Sequence, residues 1–428
     1  MYKIKKVKVT GFWNKFVIET ILDNQINIFI GKNGTGKTTF INLIEAALTV
    51  NLEHLTSAKF EEITIFLQQD RKQRKITISK IEHNLQYQEL QYKIGTTVFK
   101  IPILSTRDLR SINSGRIHPK FLREKFAIKE TMAEIVNITY LSVSREKIFN
   151  DSIEDRNSNE IYNAIDNRLE LLINELTVYQ LELETTTSKL SKKFQEDVLK
   201  IMLFDENLDY IDINNHIEIN IEEISIGLSK AYSVLGILDN TTEKKIEEHT
   251  IALKKSVEKI NSSIKSEESI PIYPNDVTPL TLVKRTKKLI ELSNKLENDK
   301  KEVFKRVDNY INLLNNFHSN KYFSLQGSKK GAIGIYGDNQ KKIDFPDLSS
   351  GEKQLLILLT ETLLQKENNS IFIADEPELS LHIEWQRMII SSITDLNPNS
   401  QIILATHSPE IVGRNIKSVI NMEKIING

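Results

Sequence analysis

The sequence Gly31-Lys32-Asn33-Gly34-Thr35-Gly36-Lys37-Thr38 is built to hold phosphate. Its glycines let the backbone wind around an anion so that successive amide hydrogens point inward. Lys37 is placed to reach the outer phosphates and the Thr38 hydroxyl to bind Mg²⁺. A second run, Ile371-Phe372-Ile373-Ala374-Asp375-Glu376, is apolar and ends in two acids. Buried carboxylates are costly without a cationic partner, and Mg²⁺ beside the glycine loop would supply one. In that arrangement Asp375 holds the metal through water and Glu376 polarises an attacking water.

Two further segments join these. Leu348-Ser349-Ser350-Gly351-Glu352 precedes a helical pattern and offers small residues where a backbone must approach closely. Ala405-Thr406-His407-Ser408-Pro409 follows a short apolar run. Taken alone, His407 and the Leu381-His382 pair read as ordinary structural residues. Order and spacing of the four segments give them weight.

The elements needed to position these groups are legible. Ile26 to Ile30 is a β-branched run suited to a buried strand. After the glycine loop, residues 39–48 carry Phe40, Leu43, Ile44 and Ala47 at helical spacing, so a helix N-terminus adds its partial positive charge to the loop. Upstream, the alternation through Ile4, Val7, Val9, Phe12, Trp13, Phe16 and Ile18 predicts edge-exposed strands. Between Phe60 and Ile103, four alternating runs predict an antiparallel meander, and Ile135 to Val143 predicts one more strand. From about 150 to 320 the apolar period changes to three and four, as in Leu169, Leu172, Ile173 and Leu176, which marks amphipathic helices. Pro271, Pro274 and Pro279 interrupt it. With no unbroken heptad register, a compact helical insertion is expected over a long antiparallel arm. Strand and helix alternate again from about 323: Leu355 to Leu364 is helical, Ser370 to Ala374 and Gln401 to Ala405 are strands. The predicted fold class is α/β, a phosphate-loop domain split by an insertion, with segments 1–149, 150–322 and 323–428.

Together the four segments resemble the ABC-type ATPases of the SMC, RecF and OLD branch. The resemblance covers roughly residues 1–145 and 325–428. It makes Gly31 to Thr38 the Walker A loop, Leu348 to Glu352 the signature, Ile371 to Glu376 the Walker B strand, Leu379 to His382 the D-loop and His407 the switch histidine. Asp375-Glu376-Pro377-Glu378-Leu379-Ser380-Leu381-His382 followed by Trp385-Gln386 carries it most specifically. Two positions depart from the pattern. Ser350 stands where relatives have glycine, and Ile383 where many have proline. The Q-loop residue stays unassigned among Gln68, Gln69 and the Ser144-Arg145 turn.

What the resemblance implies is an ATP and Mg²⁺ site. Gly31, Asn33, Gly34, Thr35, Gly36, Lys37, Thr38 and Thr39 would bind the nucleotide, Thr38 and Asp375 the metal, and Glu376, His407 and Lys37 would carry catalysis. Ser349, Ser350, Gly351 and Glu352 would cap the ATP of a second subunit, with Ser349 at the γ-phosphate, so at least a homodimer is implied. With only a short stretch after His407, no Toprim nuclease domain of the kind found in OLD proteins is expected. That architecture is similar to standalone ATPases of bacterial antiphage systems of the PARIS and Septu kinds. It implies a sensor scaffold whose nucleotide state controls a separate effector, a Toprim-like or HNH nuclease or toxin. The alternative is a RecF-type repair ATPase that clamps DNA. For it, Arg107, Arg110, Arg116, Lys120, Arg123 and Lys125 form the candidate stripe, although Asp108 and Glu124 among them suit a solvated face equally.

Composition narrows the classes further. The 428 residues are 39% hydrophobic and 27% charged, which fits two to three folded domains. Lys plus Arg (57) balances Asp plus Glu (58), so bulk charge argues for no polyanionic partner. Cysteine is absent, which excludes disulfides, thiolate zinc sites and a cysteine nucleophile. No apolar run reaches membrane-spanning length, and the lysine-rich start lacks a signal-peptide core. A cytoplasmic protein without a membrane role is the expectation.

Overall fold

The computed structural model describes residues 1–83, 87–103, 119–142, 164–209, 216–265, 271–325 and 333–427. In the first part of the chain, β1 (Lys3–Phe12), β2 (Phe16–Ile21) and β3 (Ile26–Ile30) precede α1 (Lys37–Thr49) and α2 (Leu52–Ser57). Then come β4 (Glu62–Gln69), β5 (Lys72–His83), β6 (Tyr87–Ile94), β7 (Thr97–Pro102), α3 (Pro119–Ile135) and β8 (Ile138–Ser142). The helical stretch comprises α4 (Ala164–Ile201), α5 (Glu206–Asp209), α6 (Ile221–Val234), α7 (Asn240–Lys265), α8 (Pro274–Thr281) and α9 (Val283–Phe317). The last part holds β9 (Lys321–Ser324), β10 (Gly334–Gly337), β11 (Lys342–Ile343), α10 (Ser350–Leu364), β12 (Ser370–Asp375), α11 (Ile383–Leu396), β13 (Ser400–Ala405), α12 (Pro409–Val412), β14 (Val419–Asn421) and α13 (Met422–Asn427).

The fold is α/β. A five-stranded sheet runs β14-β3-β13-β12-β8, and every pairing in it is parallel. Its central strands are apolar on both faces: Ile371 to Ala374 and Ile402 to Ala405 are all buried, as a doubly covered parallel sheet requires. A six-stranded antiparallel sheet runs β2-β1-β4-β5-β6-β7. The meander is there, but of the two strands expected at an edge β1 is interior, hydrogen-bonded to both β2 and β4, and β2 alone lies at the edge. The reason is nonlocal. Val7, Val9, Ile63, Ile65, Ile76 and Ile78 share one buried face, and β1 completes that face only by pairing with β4. A hydrophobic core from both sheets surrounds α1, whose Phe40, Ile41, Leu43, Ile44, Ala46 and Ala47 are fully buried.

Gln401, fully buried at the start of β13, ties the two sheets together. Its Oε1 accepts from the Ile4 amide and its Nε2 donates to the Ile4 and Asp23 carbonyls, each at 2.7 Å. Ile4 needs this partner because the β1–β4 register shifts between Ile4 and Lys6.

Two expected boundaries move. The strand expected from Ile135 begins at Ile138, because Ile135 closes helix α3. The helical stretch contains helices of 38 and 35 residues, α4 and α9, longer than a compact insertion suggested. The prolines do interrupt the stretch, but between α7 and α9: Pro274 opens α8 and Pro279 lies inside it.

The chain divides into two compact units, residues 1–177 with 309–428, and residues 178–308. Both boundaries fall inside helices, α4 and α9. The second unit has its own core of Ile224, Leu228, Ile246, Leu253, Ile260, Leu280 and Val283. Within it, Arg285 near the start of α9 donates to the carbonyls of Ile201 and Leu203 at the end of α4. Among the described residues no helix is long and apolar enough to cross a membrane.

Candidate functional site

The site lies at the carboxyl ends of β3, β13 and β12, neighbours in the parallel sheet, where open α/β sheets place ligands. The loop after β3 leads into α1 through Gly36, whose φ is +80° and which caps the helix without a side-chain hydrogen bond. A Cβ at Gly36 would come within 3.0 Å of the rings of Phe12 and Trp13. No acid occupies the first turn of α1, so no carboxylate of that turn competes for its amides, which suits an anion.

Lys37 is buried, and its Nζ donates to the Gly31 and Lys32 carbonyls at 2.9 and 3.3 Å. Burial pushes its ammonium below the usual range, against the pull of Glu376, Asp375, Glu378 and Glu423. Thr35 Oγ1 donates to the Lys32 carbonyl at 2.8 Å and shapes the loop. Asn33, Gly34 and Thr38 are exposed on it, and Thr39 is half-buried in the first turn of α1.

The Thr38 hydroxyl donates to Asp375 Oδ1 at 3.1 Å, which joins the loop to the last residue of β12. Burial, and beyond it the charges of Glu376 and Glu378, raise the Asp375 carboxyl to about 6. Glu376 follows in a left-handed conformation, φ 48°, unusual for a residue with a side chain and typical of functional sites. Its amide donates to the Ala405 carbonyl at 2.8 Å. Its Oε1 lies 3.8 Å from His407 Nε2. The structure therefore brings Lys37, Thr38, Asp375, Glu376 and His407 to one edge of one sheet.

Residues 349–352 are organised locally. Ser349 caps α10: its Oγ accepts from the Glu352 amide at 3.3 Å while its own amide donates to Glu352 Oε2 at 2.8 Å, a reciprocal capping box. Glu352 Oε1 pairs with Lys321 Nζ at 2.5 Å. Both oxygens of Glu352 thus have partners within the chain. Ser350 is exposed, and Gly351 packs directly on the Ser380 carbonyl.

Several neighbours of the site carried no distinct signal in the sequence. Glu423 on α13 accepts from the Lys32 amide at 3.1 Å; only the β14–β3 pairing brings it there. Glu378 was visible as a third acid but not as a hydrogen-bond acceptor for residues 406–408. Of the Q-loop candidates, Gln68 and Gln69 sit at the β4–β5 hairpin of the antiparallel sheet. Ser142, at the end of β8, pairs in register with Asp375, while Ser144 and Arg145 lie outside the described residues. So do Arg107, Arg110 and Arg116 and the side chain of Lys120; Arg123 and Lys125 lie on α3.

The AAA_15 family model, described as AAA ATPase domain, matches residues 2–412. The chain belongs to this ATPase family. It is 21% identical to the retron Ec83 probable ATPase of Escherichia coli over 415 residues, 94% of this chain and 67% of that protein. It is 26% identical over 245 residues to the chromosome partition protein Smc of Methanocaldococcus jannaschii, which is 54% of this chain but only 19% of that protein. Over 134 residues, 28% of this chain and 33% of the relative, it is 27% identical to the Septu protein PtuA of Bacillus thuringiensis. The AAA ATPase is thus related to a retron probable ATPase and a Septu protein as well as to Smc.

Proposed function

We propose that this AAA ATPase binds and hydrolyses ATP at the edge formed by residues 31–39, 375–376 and 407. We further propose that its nucleotide state controls a separate effector protein in a bacterial antiphage defence system. The observation that carries the first part is the Thr38–Asp375 contact at 3.1 Å beside the N-terminus of α1, which has no side-chain cap. The residues present fit a divalent cation. A hydroxyl and a carboxylate meet there, and burial, with the charges of Glu376 and Glu378 beyond it, holds the Asp375 carboxyl up near 6. Bound there, Mg²⁺ would neutralise phosphate charge. In this reading Lys37 and the α1 amides hold the phosphates, Glu376 accepts a proton from water, and His407 donates a hydrogen bond to the outgoing phosphate.

Heads of this kind would work as at least a homodimer, with Ser349, Ser350 and Gly351 against the ATP of the partner subunit and residues 150–322 as the assembly or effector-binding segment. Kinship with a retron ATPase and a Septu protein supports the defence role. The test is ATP turnover by the purified chain and by Glu376→Gln, followed by co-purification of Glu376→Gln with its co-expressed genomic neighbours. Turnover lost with ATP binding kept, and a stoichiometric nuclease-like protein recovered, are expected. Unchanged turnover in Glu376→Gln would sink the catalytic assignment, and recovery of DNA without a protein would sink the effector.

DNA binding is the second reading, and one surface favours it. Lys5, Lys6, Arg74 and Lys75 line a cleft of ≈ 360 Å³ with Phe66, Gln68 and Gln73 on the six-stranded sheet. Lys6, Phe66 and Lys75 form one row across β1, β4 and β5. Phosphate contacts there would give binding that weakens steeply with salt.

A further inference from the structure

The turn that carries Asp375 and Glu376 holds a third carboxylate to which the hydrolytic reading gives no task. Glu378 Oε1 accepts three hydrogen bonds from the segment after β13. They come from Thr406 Oγ1 at 2.7 Å, the His407 amide at 2.7 Å and the Ser408 amide at 3.2 Å. Its other oxygen, Oε2, is enclosed and has no hydrogen-bond partner among the described residues. All of the bonding is concentrated on one atom, and all of it goes to three consecutive residues centred on His407.

We propose that Glu378 is a positioning residue: its carboxylate anchors residues 406–408 and so sets the His407 imidazole against Glu376. The inference rests on reading this site as an ATP-hydrolysing centre. A charged acceptor bound to two amides and a hydroxyl makes charge-assisted bonds, roughly twice as strong as neutral ones. One of those amides belongs to His407 itself, so the anchor sits next to the Cα that carries the imidazole. The second link between the segments, the Glu376 amide on the Ala405 carbonyl at 2.8 Å, fixes the other partner. The two links bracket the 3.8 Å separation of His407 Nε2 and Glu376 Oε1. The left-handed Glu376 backbone turns the chain between them, so that residues 376 and 378 both reach the switch segment. One short turn therefore carries the group proposed to accept the water proton and the clamp for the histidine facing it.

A double-mutant cycle tests this, with steady-state ATP turnover, ATP affinity by calorimetry and thermal melting measured on the full chain. Glu378→Ala is expected to lower kcat roughly 10- to 100-fold, with KM and ATP affinity within about twofold of wild type. Glu378→Gln keeps an acceptor for the three donors and should restore part of the loss, though its amide nitrogen meets the enclosed position where Oε2 has no partner. In a His407→Ala background, Glu378→Ala should cost less than about twofold more, because a residue that acts through another has nothing left to position. A wild-type kcat in Glu378→Ala, or the same fold-loss with and without His407, would overturn the inference. Should Glu378→Ala not fold, Thr406→Val removes one of the three donors and takes its place in the cycle. A wild-type kcat in both Thr406→Val and Glu378→Gln would then overturn it. Wild-type protein that never turns ATP over fails the functional reading itself, a result visible before any variant is made.

Discussion

The α-carbon of Gly351 packs against the backbone carbonyl of Ser380 so closely that a Cβ would lie 2.2 Å from the oxygen. Ser380 is itself held in a left-handed conformation, φ 68°. The first turn of α10 and the loop that follows β12 therefore touch backbone to backbone, and only glycine permits it.

Gly351→Ala must push the two backbones apart, since no flexible side chain can give way. The expected cost is about 2 kcal/mol or more of stability, measured by denaturant unfolding. Ser350→Gly, one residue earlier and exposed, should change stability far less. Equal stability for Gly351→Ala and wild type would show that the contact is not rigid.

The Thr38–Asp375 contact predicts how nucleotide and metal stabilise the protein. At a nucleotide concentration of 100 times Kd, ligand linkage adds about 2.7 kcal/mol. Wild type should melt higher with ATP and Mg²⁺ than with ATP and a chelator. Thr38→Ala should lose most of that metal-dependent increment. Lys37→Ala should lose the response to ATP altogether.

Gln401 predicts a large effect far from any chemistry. Gln401→Leu removes the partner of the Ile4 amide and carbonyl, while the Asp23 carbonyl keeps the Asn27 side-chain amide at 2.9 Å. An unmade buried hydrogen bond costs about 1–3 kcal/mol, so the variant should be destabilised by about 3 kcal/mol or more in urea unfolding. Gln401→Glu, which keeps the acceptor but loses the donor, should fall at least as far.

His318 predicts an acid-sensitive contact. Burial holds its imidazole below the usual range. Its Nδ1 lies 2.8 Å from the Leu314 carbonyl, Glu352 and Lys321 face it, and Trp385 packs 5.0 Å away. Unfolding lets the imidazole take up a proton that the folded state resists. Stability is therefore complete above the unfolded value of about 6.5 and is lost as pH falls below it toward the folded value. Melting at pH 7.5 and 5.5 should show this loss, smaller in His318→Gln. Trp385 fluorescence in a Trp13→Phe background should follow the same pH change.

The α10 helix also explains how a local motif reaches the rest of the chain. Glu361 on α10, buried, takes a two-atom pairing from Arg168 on α4 at 2.8 and 2.6 Å. Lys353 pairs with Asp166 at 2.7 Å, and Thr360 bonds Tyr310 on α9 at 2.7 Å. Helix α10 is thus held by the parts of α4 and α9 that belong to the first unit. Arg168→Ala leaves Glu361 buried and unpaired, so it should cost about 3 kcal/mol or more in urea unfolding; Arg168→Ala combined with Glu361→Leu should recover much of that.

The sequence by itself determined the glycine loop, the acidic end of β12 and the histidine after β13, because each depends on a few consecutive residues. Continuous apolar runs such as Ile371 to Ala374 also revealed the buried strands. Helix α3 is not legible in the sequence, because lysines and glutamates dominate its composition and its helical period rests on a few apolar residues, Ile128, Met132 and Ile135. What only the tertiary structure decided are relationships between segments far apart in the chain. The pairing of β1 with β4, the Gln401 bridge to Ile4, Glu423 at the phosphate loop and the contact of Gly351 with Ser380 all belong to that class. None has a local signature, since each exists only when a buried face closes or a buried polar group must find a partner. Glu378 stands between the two: its type and place beside Asp375 and Glu376 are written in the chain, but its hold on residues 406–408 depends on β12 and β13 lying side by side.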